Sequence, residues 1–232
     1  MVNNSKKKTS KPRDASSVII INKKKKDLYV LMGKRPAKSR FMPSIYVFPG
    51  GAVDKTDYKV NKIFKLSTKL KRTLLKSRSQ AHTIAIMLAG IRETAEECGL
   101  FLTRKGKYLD YKDLACDNMW DLFLKESLLP SIQNLHYFGR AITPAYLKTR
   151  FHARFFVSDF KDFSGEIKAN GELENLEWIK LSKARLLPLA DVTEFLINRL
   201  IEFKNKSLRF QEFEVYPMFT RRNKKMWVKW DQ

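Results

Sequence analysis

The sequence predicts a domain of mixed α/β or α+β architecture in which helices pack on a mixed sheet. Short runs of β-branched and aromatic residues alternate along the chain with longer segments of helical periodicity. Apolar residues make up 44% of the 232 residues and aromatic residues 12%, which is enough to fill a substantial core. These observations exclude a disordered tail protein and favour a layered sandwich.

The chain begins with a basic segment followed by a β-hairpin. Residues 1–15 are charged and poor in apolar groups, so they predict a flexible tail ahead of a single domain over 16–232. The apolar run Ser17–Asn22 predicts the first strand. The turn Lys23–Asp27 then leads into a second predicted strand, Leu28–Gly33, and the two strands form a hairpin.

A short strand, predicted over Ile45–Phe48, is followed by three helical segments. Apolar residues recur at helical spacing in the basic stretch Tyr58–Ser79, which predicts one helix. A second helix is predicted over Ala81–Cys98, because Gly99 can take the left-handed conformation that closes a helix. A third is predicted over Asn118–Leu128.

The second half of the chain predicts three further strands and a closing helix. β-Branched and aromatic residues concentrate in Tyr137–Ile142, His152–Phe156 and Leu176–Leu181. Helical spacing predicts the last helix over Val192–Phe203. The aromatic, basic end Val215–Trp230 is open to three interpretations: an added strand, a partner site or a cover for the core.

The formal net charge of +22 has three candidate causes. These are nucleic-acid binding, attraction of a small anionic substrate, and a lysine-biased composition without functional meaning. Cys98 and Cys116 are too few for a disulfide framework and lack metal-ligand spacing, which predicts a reducing compartment. Since the sequence shows neither a signal-peptide pattern nor an apolar run as long as a membrane span, we expect a soluble cytoplasmic protein.

Three carboxylates crowd one part of the second predicted helix. Glu93, Glu96 and Glu97 share a face, because residues three and four positions apart are neighbours on a helix. Their mutual repulsion is relieved by a hard divalent ion such as Mg²⁺, with Mn²⁺ as the alternative. An isolated cluster of this kind is more often a solvated helix face. Here Gly50 and Gly51 follow an apolar strand and permit close approach of backbone to a charged ligand, which favours a metal site.

These residues resemble, in two pieces, the pattern of the Nudix hydrolase family, G-x5-E-x7-R-E-U-x-E-E-x-G-U, where U is a bulky aliphatic residue. Gly51 and Asp57 correspond to its first half, with aspartate where glutamate is usual. Arg92–Leu100 corresponds to its second half, with Thr94 at an aliphatic position. The 34 residues Tyr58–Ile91 stand where the family has seven.

An insertion at this place, about 58–80, together with Thr149–Phe156, resembles the peroxisomal coenzyme A diphosphatases of the family and similar bacterial proteins. The resemblance implies an α/β/α sandwich and a Mg²⁺-dependent pyrophosphohydrolase that cleaves a nucleoside diphosphate-linked compound. Coenzyme A or an acyl derivative is favoured as substrate over sugar nucleotides, dinucleotides and capped RNA. A leucine-threonine-arginine-serine signature of many coenzyme A-cleaving members is not evident, since Leu31–Arg35 retains only its basic end.

The resemblance also implies roles for individual residues of the motif. Glu93, Glu96 and Glu97 would bind Mg²⁺, and the backbone carbonyl of Gly50 would be a further ligand. Arg92 would orient the carboxylates, because a guanidinium can hold a carboxylate in a bidentate fork. Glu93 is also a candidate for the base that takes a proton from the attacking water.

Residues outside the motif complete the predicted site. Glu172 resembles the further acid that often completes the metal site or serves as base, and three neighbouring acids are alternatives: Glu166, Glu174 and Glu177. Basic residues on or between the predicted strands would bind substrate phosphates: Arg140, Lys148, Arg150 and Arg154.

The alternative function is a non-catalytic Nudix-like module that binds a nucleotide or RNA. The intact acid cluster favours the enzyme, because a cluster of like charges is costly to keep without a metal. The expected partner is therefore a small anionic substrate of nucleotide type, nucleic acid is the less favoured partner, and a homodimer is left open.

Overall fold

The computed structural model describes residues 10–70, 72–106, 119–205, 215–222 and 225–231. Its strands are β1 Arg13–Lys24, β2 Asp27–Lys34, β3 Tyr46–Val47, β4 Gly50–Ala52, β5 Leu100–Phe101, β6 Thr103–Lys105, β7 Leu128–Pro130, β8 His136–Ile142, β9 Phe151–Asp159, β10 Ser164–Gly165, β11 Glu174–Lys180, β12 Tyr216–Arg222 and β13 Lys225–Asp231. Its α-helices are α1 Lys55–Phe64, α2 Arg72–Leu75, α3 Gln80–Cys98, α4 Met119–Lys125, α5 Leu181–Ala184 and α6 Asp191–Asn205.

A mixed sheet forms the centre of the molecule. Within the described ranges nine strands belong to it, in the order β11-β2-β1-β9-β8-β12-β13, with β3 paired to β2 and β4 paired to β1. The β1–β9 and β8–β12 pairs are parallel and the other pairs are antiparallel. Helices α1, α3 and α4 cover one apolar face, and α5 and α6 cover the other. The predicted α/β/α sandwich is therefore confirmed.

The first hairpin is confirmed, but its first strand begins earlier than predicted. Strand β1 starts at Arg13, and Arg13–Ala15 pairs in parallel with Phe151–Ala153 of β9. The tail predicted over 1–15 was therefore too long by at least these three residues. The sheet overrides their polar composition because a parallel partner satisfies their backbone hydrogen bonds. Residues 1–9 lie outside the described ranges.

The single helix predicted over Tyr58–Ser79 was wrong. Helix α1 ends at Phe64 because Lys65 takes a left-handed conformation, with φ 44°. The Thr68 hydroxyl then accepts a hydrogen bond from the backbone N–H of Leu70, as in a turn. Five of the apolar residues that suggested one helix still face the core, from two short helices and the segment between them: Ile63, Phe64, Leu66, Leu70 and Leu75.

Two other segments differ from or refine the expectation. The helix predicted over Asn118–Leu128 is shorter, since α4 ends at Lys125 and Leu128 already belongs to strand β7. Asn118 lies outside the described ranges. Of the three interpretations of the C-terminal end, the added strand is confirmed, because β12 and β13 form a hairpin that extends the sheet beyond β8.

Helix α3 carries the acid cluster, and its boundaries agree with the prediction. The Ser79 side chain caps its start by accepting a hydrogen bond from the backbone N–H of His82. Gly99 closes its end with φ 68°, and Cys98 is buried in its last turn. Within the described residues, no helix is both long and apolar enough to cross a membrane.

Candidate active site

The two glycines of strand β4 lie against the acids of helix α3. The backbone N–H of Gly50 donates a hydrogen bond of 2.8 Å to Oε2 of Glu97. A Cβ atom on Gly51 would lie 2.4 to 2.5 Å from the carboxylate atoms of Glu93, so any larger residue there would displace this carboxylate. The Gly-Gly turn and the acid cluster, separate in sequence, therefore form one site.

Arg92 joins the two halves of the motif across the insertion. Its Nε and Nη2 donate to the two carboxylate oxygens of Asp57, over 3.0 and 3.2 Å. Its Nη1 donates to Glu93 and Glu96, each over 2.9 Å, and its Nη2 also donates to the carbonyl of Ala52. One guanidinium thus fixes the β4 loop, the first insertion helix and the acids relative to each other.

Asp57 is the fully buried anchor of this arrangement. Besides Arg92, it accepts hydrogen bonds from the indole Nε1–H of Trp120 over 2.9 Å and from the backbone N–H of Asp54 over 2.8 Å. Asp54 in turn caps helix α1, which delivers Asp57 to the site. The geometry of the motif is kept although 34 residues separate Asp57 from Arg92.

The acids of α3 are largely buried, and the positive groups around them do not fully offset the cost of burying their negative charge. Burial raises the pKa of Glu93 to about 7, against the lowering effect of Arg92, and the charges of Glu96 and Glu172 add to the rise. Burial likewise raises the pKa of Glu97 to about 8, although the Gly50 N–H opposes the rise. Carboxylates in this state are stabilised by a cation.

A divalent cation fits the chemistry of these donors. In the described part of the chain, no group of three or more His, Cys, Asp or Glu side chains is already arranged to hold a metal ion. Within the described ranges, each of the α3 acids accepts through one oxygen only, since Arg92 Nη1 donates to Glu93 Oε1 and Glu96 Oε2 and the Gly50 N–H donates to Glu97 Oε2. The second oxygen of each carboxylate would be the metal ligand.

Glu172 comes close to the α3 acids in space. It lines the same cavity as Glu93 and Glu97, and its charge contributes to the raised pKa of both. The other acids considered from sequence, Glu166, Glu174 and Glu177, are exposed and are not among the residues that line the cavity. Glu172 is therefore the acid outside the motif that geometry favours.

The site opens into a cavity of about 580 Å³, a size typical of small-molecule sites. Its floor is a row of alanines on four adjacent strands, in register: Ala52 of β4 pairs with Ala15, Ala15 with Ala153, and Ala153 with Ala141. Phe219 of β12 pairs with Ala141 and ends the row. The small side chains leave a shallow apolar trough that leads away from the acids.

The three arginines predicted to bind phosphates are engaged within the fold. Arg154 is fully buried on the sheet face opposite the cavity, where it donates to the carbonyl of Leu75 and pairs with Asp14. Arg140 pairs with Asp231 over 2.7 Å. Arg150 donates to the backbone carbonyls of Thr143 and Ser10. These contacts hold the insertion, the C-terminal hairpin and the start of β1 in place.

Three other arginines line the cavity and were missed as site residues: Arg13, Arg35 and Arg221. Arg35 is close enough to lower the pKa of Glu97. Arg13 was assigned to the tail, and Arg221 lies in the segment whose role was open. The alternation of residues along β1 and β12 could have placed both on the cavity face once the strands were known.

Comparisons with known proteins agree with this geometry. No family model matches the chain. The crystal structure of a NUDIX hydrolase from Alicyclobacillus acidocaldarius superposes with a TM-score of 0.70, covering 88% of this chain and 97% of that one at 23% identity. The chain has the Nudix fold.

A curated relative is similar in sequence as well. The Caenorhabditis elegans protein described as "Putative nudix hydrolase 7" is 31% identical over 181 residues, which are 75% of this chain. The chain spans about half the length of that relative, 53%. Both comparisons support the resemblance to Nudix hydrolases that the motif indicated.

Proposed function

We propose that this protein is a Nudix hydrolase, a Mg²⁺-dependent pyrophosphohydrolase that cleaves the phosphoanhydride of a nucleoside diphosphate-linked compound. The observation that carries the proposal is the Arg92 guanidinium, which holds Asp57 and the acids Glu93 and Glu96 in one cluster beside the Gly50-Gly51 turn. An insertion that had destroyed the site would have separated these groups.

We assign different roles to the residues of the cluster. Glu93, Glu96, Glu97 and the Gly50 carbonyl would hold Mg²⁺ or Mn²⁺. When bound, the ion neutralises charge on phosphate oxygens and lowers the pKa of water. Arg92 orients the carboxylates that it bonds.

The proton of the attacking water needs a base. Glu172 and Glu93 are the candidates, and both line the cavity. Glu172 is the more exposed of the two, whereas Glu93 forms an ion pair with Arg92. We therefore assign Glu172 the role of the base that accepts the proton.

Among substrates we favour coenzyme A or an acyl derivative. The apolar trough that begins at Ala52 supports a substrate whose diphosphate carries a long group with few charges. Arg13 and Arg35 are the cavity residues we expect to bind phosphates. We further propose a single domain that begins with β1 at Arg13, three residues earlier than the sequence predicted, and a cytoplasmic location.

The decisive experiment is a screen of nucleoside diphosphate-linked compounds with and without Mg²⁺, with products identified by mass. Glu97→Gln should lower turnover by at least ~100-fold, since even outer-shell partners of a metal are worth 10- to 100-fold. It should also weaken Mg²⁺ binding measured by calorimetry. Glu177→Gln is the matched control, because it removes an exposed carboxylate that does not line the cavity. Equal turnover and Mg²⁺ affinity in both variants would refute the proposal.

The arrangement of the acids also favours a second candidate, a non-catalytic module that binds nucleotides or RNA. Among the described residues no ready metal cage is present, and Arg92 occupies oxygens of two of the acids. The screen separates the candidates, because a binding module would retain nucleotides with no Mg²⁺-dependent products. Glu172→Gln gives a further distinction, since it should slow hydrolysis while leaving nucleotide affinity largely intact.

A further inference from the structure

The far end of the cavity lies well beyond the acid cluster. The row that starts at Ala52 crosses β1, β9 and β8 before it reaches Phe219 of β12. Neighbouring strands are about 4.8 Å apart, so these four steps span roughly 19 Å. Arg221 follows Phe219 on the same face of β12, two residues on, and lines the cavity. Arg221 therefore lies at the β12 end of the cavity floor, whereas Glu93 and Glu97 lie at its β4 end.

Arg221 is already paired, but with an exposed carboxylate that a ligand anion could displace. Asp191, the first residue of α6, forms an ion pair with Arg221, and both side chains are about 42 to 43% exposed. The neighbouring hydroxyls are engaged with backbone, since Thr220 donates to the carbonyl of Ile142 and Thr143 accepts from the N–H of Phe151. An exposed ion pair is weak, so a ligand anion can compete with Asp191 for Arg221.

The cavity is lined by other cations as well. Among described residues that line it, these are Arg13 and Arg35. Arg13 lies in the same cross-strand row as Arg221, but Phe151 and Thr143 stand between them on β9 and beyond the end of β8. The cavity thus has Arg35 near the acids, and a separate cation, Arg221, about 19 Å from the Ala52 end of its apolar floor and about 14 Å, or three strand spacings, from Arg13.

We propose that Arg221 forms a second anion-binding subsite, which holds a carboxylate or phosphate at the far end of the group attached to the diphosphate. The inference rests on the proposed function, and it restricts the substrates considered there to those in which the group attached to the diphosphate ends in an anion, such as an acyl derivative with a terminal carboxylate. Asp191 opposes this binding, because a ligand anion must replace its carboxylate beside Arg221.

The test compares ADP esters that differ only at the chain terminus. The esters are those of dodecanol, of ω-hydroxydodecanoic acid and of dodecanediol monophosphate, and the ester of ω-hydroxybutanoic acid is too short to reach Arg221. A charge-assisted contact of about 1.4 kcal/mol lowers KM about tenfold. The two long anionic esters should show this advantage over the dodecyl ester, and the larger gain identifies carboxylate or phosphate as the preferred anion.

Variants assign the advantage to this site. Arg221→Ala should abolish it, whereas Asp191→Asn should increase it because the competing carboxylate is gone. Arg222→Ala is the control, since Arg222 stacks over Trp227 with its guanidinium carbon 3.9 Å from the ring centre. The same comparisons of Kd, made by calorimetry with Glu97→Gln, report on binding without turnover.

The outcomes separate the two proposals. Equal KM and Kd for the three long esters, or an advantage that survives Arg221→Ala, would overturn the subsite. An equal advantage for the short anionic ester would overturn it as well, because that ester would bind nearer the acids. Absence of hydrolysis with the terminal-anion preference intact in Kd would instead count against the enzymatic function alone.

Discussion

Replacing Asp57 by asparagine tests the anchor of the site most directly. Asp57 is fully buried and accepts four hydrogen bonds, two of them from Arg92, whose own side chain is 7% exposed. Asparagine removes the charge and turns one acceptor into a donor that faces N–H groups. Breaking a buried pair in this way costs about 3–5 kcal/mol, a large part of a total stability of about 5–15 kcal/mol.

The loss should be visible in unfolding experiments on the purified protein. For a chain of this size each kcal/mol lowers Tm by about 2–4 °C, so Asp57→Asn should lower it by roughly 6–20 °C. Asp57→Glu restores the acid that the family pattern has here and should recover part of the loss. Asp27→Asn is the control, because Asp27 pairs with Lys180 at the surface and its loss should leave Tm nearly unchanged.

A specific result would contradict this reasoning. If Asp57→Asn lowered the free energy of unfolding by less than about 0.5 kcal/mol, the range of ordinary surface substitutions, the Arg92 cluster would not hold the insertion to the motif. The same variant should also lower turnover, because Arg92 would lose the partner that fixes its fork beside Glu93 and Glu96.

Three further predictions concern neighbouring contacts. Gly51→Ala should weaken Mg²⁺ binding in calorimetry and lower turnover, because its Cβ would displace the Glu93 carboxylate; unchanged affinity would show that this carboxylate is free to move. Trp120→Phe should cost at least about 1.5–3 kcal/mol in urea unfolding, since it removes a hydrogen bond to the buried Asp57 carboxylate and leaves space beside Phe64 and Phe123. Burial raises the pKa of Asp14, but hydrogen bonds from His82 and Arg154 outweigh it and hold the pKa below its usual range. Asp14 therefore contributes stability above its unfolded pKa of about 3.9, and this contribution is lost as pH falls further. Asp14→Asn should accordingly destabilise the protein at pH 7 and flatten the loss of stability in acid, and parallel curves for the two proteins would refute the assignment.

The parts of the site that could be predicted from the sequence are those in which the residues lie close together along the chain. The acids of Arg92–Leu100 lie within three turns of one helix, so their shared face follows from helix geometry alone. Gly99 closes that helix as its conformational freedom indicated. The first hairpin and α6 were predictable for the same reason, since their apolar periodicity is continuous along the chain.

The parts that sequence missed depend on long-range pairing. The hydrogen bond between Trp120 and Asp57 joins residues 63 positions apart, and no local sequence pattern predicts it. Which arginines line the cavity could not be predicted for the same reason, because neighbouring positions on a strand face opposite sides of the sheet. Ala153 faces the cavity and Arg154 faces the insertion. The register of β9 against β1 decides which of the two residues lies on the cavity side.

The insertion can be accommodated because closing a longer loop costs little. Each doubling of a loop costs about 0.6 kcal/mol, so going from the family's seven residues to 34 costs roughly 1.4 kcal/mol. Separating Asp57 from Arg92 would leave a buried charge unpaired and cost about 3–5 kcal/mol, so the two ends of the insertion stay together. The insertion also buries Val60, Phe64 and Leu75 of its own in the core on the α3 side of the sheet. The site therefore depends on where the insertion begins and ends, at Asp57 and Arg92, much more than on its length.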